Sequence, residues 1–199
     1  MDARTNHRRL RLAVLAVWAC AVVLSLGALV LVATLARGGV PLALDGADPD
    51  VGLVEVGLVD EATPAAGRAP VLADVPLGNR LLFAVGPLVT AASWVVTAAL
   101  VAGVLREIGA GRPFGARALR RLPRAALVLG AGALVTLAAD VVATFALLAA
   151  PGVVDDYERL ATTGFDFPVT TLVCAVLVGA LAVAFRQGAA LERDLVGLV

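Results

Sequence analysis

Charged side chains are distributed unevenly along this chain, and the gaps between them delimit its elements. Residues 12–36 form a run of 25 residues without a single charge. As a helix that run extends about 37 Å, enough to cross a hydrocarbon core of about 30 Å with some tilt. A second apolar run covers about 81–105 and carries Gly86-Pro87 one to two turns in, where the missing N–H and the ring predict a kink. The third, 125–150, is interrupted by one acid, Asp140, and the fourth, about 168–185, is 18 residues long and close to the minimum for crossing. The pattern predicts an all-α membrane protein with four transmembrane helices in one domain over residues 1–199. Its connections are 37–80, 106–124 and 151–167, followed by a tail at 186–199. A cleaved signal peptide is the rival for the first run, because Arg4, Arg8, Arg9 and Arg11 precede it. A signal's apolar core, however, is only about 7 to 15 residues.

The connections have patterns of their own. The first reads PLAL, VGLVEVGLV and APVLADVPL, and the third ends in FDFPV; both are β-leaning pieces broken by Gly, Pro and Asp. They predict a small extracytoplasmic β element provided the two loops meet, since strands this short are marginal alone. In 106–124, Arg117, Arg120, Arg121 and Arg124 recur at i, i+3, i+4 and i+7 and share one helical face, with Ala118, Leu119 and Leu122 away from it. Such a segment rests at the membrane interface with its guanidinium groups on lipid phosphates, each worth about 1 kcal/mol near an anionic surface. A basic docking face for an acidic cytoplasmic partner is the second reading. Direct nucleic-acid binding is not expected, because no aromatic platform accompanies these charges.

Composition turns the pattern into a topology. Hydrophobic residues make up 60% of the chain and mean hydropathy is +0.94, against about 45 to 50% apolar in soluble domains. Only 5% is aromatic, so the apolarity comes from Ala, Val and Leu, which suit helices in lipid. The formal charge of zero conceals a sorting: of sixteen basic residues, all Arg, four precede the first run, six lie in 106–124 and two in the tail. Eleven of the sixteen acids lie in the other two connections. Because basic residues of short loops stay on the cytoplasmic side, the expected topology has both the N- and C-termini cytoplasmic. The exclusive use of Arg fits a GC-rich, actinobacterial type of coding bias and a bacterial cell membrane.

Chemistry-bearing residues are few. Asp140 is the one ionisable group well within a run, and a charged carboxylate there is expensive, which marks it as a candidate intramembrane polar site. Protonation, hydrogen bonding to Thr136 or Thr144, and pairing with Arg80 are its ordinary alternatives. Cys20 and Cys174 both fall in apolar runs and read as small packing residues rather than a disulfide. The single histidine, His7, has no ligand cluster around it in sequence, and Asp155, Asp156 and Glu158 read as a solvated turn. Gly109, Gly111 and Gly115 lack the preceding strand and the Lys-Ser/Thr of a phosphate loop. No cofactor, metal or enzymatic activity is expected. Ala99 with Gly103, Ala126 with Gly130, and Ala175 with Gly179 are small residues four apart, a spacing that lets helices approach closely or form a homo-oligomer.

Two stretches carry a family resemblance. Gly111-Arg112-Pro113-Phe114 with the Arg-Leu-rich run after it, and the ending from Phe185-Arg186-Gln187-Gly188 through Leu191 to Val199, resemble the bacterial membrane family catalogued as DUF2975. The four spans, the long first outer loop and the C-terminal position of the second motif match as well. The chain departs from the family pattern in lacking an Asn among Arg117 to Arg121 and in having Val183-Ala184 where an acid often precedes the second motif. The resemblance implies no enzyme activity. It implies a partner, since members are frequently encoded beside a small helix-turn-helix regulator. The candidate cytoplasmic interaction face is therefore Arg112, Pro113, Phe114, Arg117, Arg120, Arg121 and Arg124 from the inner loop, with Phe185, Arg186, Gly188 and Leu191 from the tail. Leu191, Leu195 and Leu198 fall at i, i+4 and i+7, which predicts a short amphipathic helix whose Leu face packs against the membrane or against Leu119 and Leu122. The alternative function is a small transporter or channel subunit using Asp140.

Overall fold

The computed structural model describes residues 3–38, 61–64, 71–111, 115–149, 157–161 and 167–196. Four long helices dominate: α1 (Ala3–Arg37), α2 (Leu77–Gly109), α3 (Ala116–Leu148) and α4 (Val169–Val196). Their portions Leu10–Arg37, Leu77–Gly109, Ala116–Leu148 and Val169–Leu191 are each long and apolar enough to cross a bilayer. The chain is a multi-pass membrane protein.

Burial is distributed as lipid demands and water forbids. Among the described residues, thirteen of the twenty-one buried apolar side chains are alanine, whereas Leu15, Val23, Leu127, Leu134, Phe145 and Val176 are each more than 60% exposed. Lipid tails solvate a leucine as well as a neighbouring helix does, so helices in a bilayer turn small residues inward to approach closely. The inward positions keep a strict period. Ala21, Ala28 and Leu35 on α1, Ala84, Ala91 and Ala98 on α2, and Ala175, Ala182 and Ala189 on α4 recur every seven residues. Polar side chains of α1 fold back on their own helix, Ser25 Oγ donating to Ala21 O at 2.8 Å and Thr34 Oγ1 to Val30 O at 3.0 Å.

The helix ends explain where the sequence boundaries were too short. α1 and α2 each end on a glycine in the left-handed region, Gly38 at φ 76° and Gly111 at φ 74°. Gly38 N donates to Thr34 O at 2.9 Å and Gly111 N to Ile108 O at 3.0 Å, which satisfies carbonyls of the last turns. α2 starts behind Pro76, whose carbonyl accepts the N–H groups of Asn79 and Arg80, and Pro168 opens α4 in the same way by accepting from Leu172 N. Expected separate segments are therefore parts of long helices. The basic stretch 117–124 is the opening of α3, which runs on through Pro123, because Ala118, Leu122, Ala125 and Leu129 continue one buried stripe across it. That shared burial offsets the roughly 3 kcal/mol that an interior proline costs. Likewise, the predicted tail helix is the continuation of α4.

An external sheet is expected from PLAL, VGLVEVGLV, APVLADVPL and FDFPV, but the described residues of those pieces form no strand. PLAL and VGLVEVGLV lie outside the described residues, Leu72–Asp74 is a 3-10 turn, and Val169 already belongs to α4. A short backbone ribbon pairs other residues of the same two connections. β1 (Glu61–Pro64) runs antiparallel to β2 (Tyr157–Ala161), Glu61 opposite Ala161, with an irregularity at Thr63/Pro64.

Residue contacts divide the chain into two compact units: Met1–Ser25, Ala91–Ala133 and Pro168–Val199 form unit 1, and Leu26–Thr90 with Leu134–Phe167 form unit 2.

Candidate functional site

Unit 1 contains the residues of both family-like motifs. Val104 of α2, Ala118 and Leu122 of α3 and Ala182 of α4 form a buried apolar cluster, and Ile108, Val178 and Phe185 pack against it. The opening of α3 and the second half of α4 are thereby joined. The joint uses Phe185, Ala182 and Val178; Leu191 is 65% exposed, turned away from the bundle. The reason is periodicity. Ala182 and Ala189 hold the inward heptad positions of the uninterrupted helix, which carries Leu191 round to the outside. The side chains of Leu195 and Leu198, and residues Arg112, Pro113 and Phe114, lie outside the described residues.

The arginines of the α3 opening divide into two kinds. Arg117, Arg120 and Arg124 are exposed, as is Arg186 on α4, while Gly188 is half-buried. Arg117 makes a 3.9 Å ion pair with Glu107 of α2, its own side chain 80% exposed, so the pair contributes little to stability. Arg121 is half-buried and lies over Gly103: a Cβ placed there would be 2.8 Å from Arg121 Cζ. The four-residue stripe of sequence is thus three exposed guanidiniums and one laid along α2.

The small-residue spacings find each other only on α3 and α4. A Cβ on Gly130 would be 4.0 Å from Ala175 Cβ, and one on Gly179 would be 3.8 Å from Ala126 Cβ, so the two spaced pairs interlock antiparallel. Gly103 is instead covered by Arg121, and Ala99 is exposed. Sequence reasoning missed a close contact in unit 1, Ser93 of α2 against Gly132 of α3, where a Cβ on the glycine would lie 2.8 Å from Ser93 Cβ. The available signal was a serine and a glycine at inward positions of two helices joined by a short connection.

Unit 2 contains Asp140, eight residues before the end of α3 at Leu148. Its Oδ1 lies over the bare backbone of Gly86 on α2, 2.5 Å from where a Cβ would stand, with Thr136 Cγ2 at 3.5 Å from the same point. Thr136 and Thr90 share a 2.9 Å hydrogen bond, and Thr136 Oγ1 also donates to Gly86 O at 3.4 Å. Further along the same pair of helices, Asn79 Nδ2 donates to Ala146 O at 3.2 Å. Arg80, an expected partner of Asp140, has its guanidinium against Gly38 at the end of α1. The polar cluster thus consists of Asp140, Thr136 and Thr90 around a glycine that leaves room for the carboxylate.

Both cysteines are free. Among the described residues no group of three or more His, Cys, Asp or Glu side chains could hold a metal ion. No protein-family model, curated protein or solved structure matches the chain.

Proposed function

We propose that this chain is a non-enzymatic membrane protein of the DUF2975 type whose cytoplasmic face, built from the opening of α3 and the end of α4, holds a small soluble helix-turn-helix regulator. The observation that carries this reading is the apolar cluster of Ala118, Leu122, Ala182 and Phe185, which joins the two motif-bearing segments while leaving Arg117, Arg120, Arg124 and Arg186 exposed. An apolar seat beneath a set of exposed guanidinium groups suits an acidic protein surface. Sidedness rests on the arginine count: twelve of sixteen lie in the first segment, the α2–α3 region and the tail, so these are cytoplasmic and the β1–β2 ribbon is extracytoplasmic. Contact with DNA belongs to the partner.

The test is capture from native membranes by the full chain and by a chain ending before Gly188. The full chain retains a small soluble helix-turn-helix protein, and the shortened chain loses it. Replacing Arg117, Arg120 and Arg124 together with Glu weakens capture without removing the chain from the membrane. If truncation and charge reversal both leave the set of captured soluble proteins unchanged, the reading fails.

A second reading has its own observation, the Asp140, Thr136 and Thr90 cluster inside a membrane-spanning region. Under it the chain is a small transporter or channel subunit. Asp140→Asn then abolishes ion-dependent flux in reconstituted vesicles and leaves partner capture intact, the reverse of the pattern expected from the arginine variants.

A further inference from the structure

Unit 1 contains a cavity of about 600 Å³ that neither reading uses. It lies between the first turns of the α1 span and the end of α2, lined by Leu10, Val14, Leu15, Leu105, Gly109 and Ala110, with Arg11 and Arg106 as its two charged residues. That volume is within the roughly 300 to 1,000 Å³ typical of small-molecule sites. The arrangement is polarised by sequence. Arg11 immediately precedes the uncharged run of α1 and Arg106 immediately follows that of α2, so both guanidiniums stand at the border where the apolar wall begins. Among the described residues no acid lines the cavity, and the nearest in sequence, Glu107, is paired with Arg117 of α3. Gly109 keeps the wall low: even a Cβ there would meet Leu10 Cδ1 at 3.4 Å.

We infer that this cavity is a binding site for an anionic phospholipid, its headgroup phosphate held between Arg11 and Arg106 and one acyl chain lying along Val14, Leu15 and Leu105. The two cations that line the cavity supply the headgroup contact, and the apolar wall supplies the chain contact that a free anion could not use. A neutral lipid or an apolar segment of a second copy would leave two guanidiniums without a counter-charge at the membrane border.

The chain provides its own probe. Trp18 lies four residues after Val14 and seven after Arg11, hence on the same face of α1 just below the cavity, and Trp94 is the only other tryptophan. The full chain with Trp94→Phe is placed in phosphatidylcholine vesicles containing a small fraction of phosphatidylglycerol brominated on its acyl chains. Trp18 fluorescence is quenched far more than by the same fraction of brominated phosphatidylcholine, two guanidiniums giving a preference on the order of 30-fold. The preference is lost in Arg11→Gln/Arg106→Gln, persists in Arg117→Gln, and withstands excess inorganic phosphate; circular dichroism shows all three chains equally helical. Equal quenching by the two lipids, survival of the preference in the double variant, or its abolition by free phosphate would each overturn the inference.

Discussion

At the scale of single residues, this protein repeatedly sets a polar side chain on a neighbouring helix's glycine. Ser93 lies on Gly132, Asp140 on Gly86 and Arg121 on Gly103, but the three contacts differ in what can yield. Arg121 meets Gly103 with the far end of a flexible chain, whereas Ser93 meets Gly132 with its own Cβ, which cannot move without its backbone. Gly132→Ala should therefore destabilise the detergent-solubilised protein by about 1 to 3 kcal/mol, while Gly103→Ala costs less because Arg121 can swing aside. Gly27, with nothing within 4 Å, is the control: alanine there should be neutral or stabilising by up to about 1 kcal/mol. Graded unfolding in a denaturing detergent measures all three, and equal losses at positions 27 and 132 would refute the contact's importance. Thr136→Val removes its bonds to Thr90 and Gly86 and should cost about 0.6 to 1.7 kcal/mol in the same assay.

At the scale of elements, the apolar runs located all four helices, since 12–36, 81–105, 125–150 and 168–185 each fall within or nearly coincide with one. Their ends were less legible. Residues 106–109 and 116–124 are charged enough to read as loop, yet Val104, Ile108, Ala118 and Leu122 keep the inward period through them. A proline at 123 and a glycine at 188 are local helix-breaking signals that the heptad of buried alanines overrides. The Asp140 cluster was partly legible, because Thr136 stands one turn away on the same helix; Gly86 and Thr90 were not, since their meeting depends on the α2–α3 register. Leu129 offers the test at this scale. It is one of few large residues fully buried among alanines, so Leu129→Ala should open a cavity at a cost of about 2 to 5 kcal/mol, while Leu127→Ala, 72% exposed, should leave stability in detergent nearly unchanged.

At the scale of the whole molecule, four membrane-spanning helices with small residues inward and large ones outward establish the setting, and the proposed function rests on which side carries the α3 opening and the end of α4. Substituted-cysteine labelling reads this directly. In a background with Cys20 and Cys174 replaced by alanine, single cysteines are placed at the exposed positions Ala73, Ala116 and Ala190 and treated with a membrane-impermeant maleimide. In intact cells Ala73→Cys should label, and Ala116→Cys and Ala190→Cys should label only after permeabilisation. Labelling of Ala116→Cys or Ala190→Cys in intact cells would contradict the account.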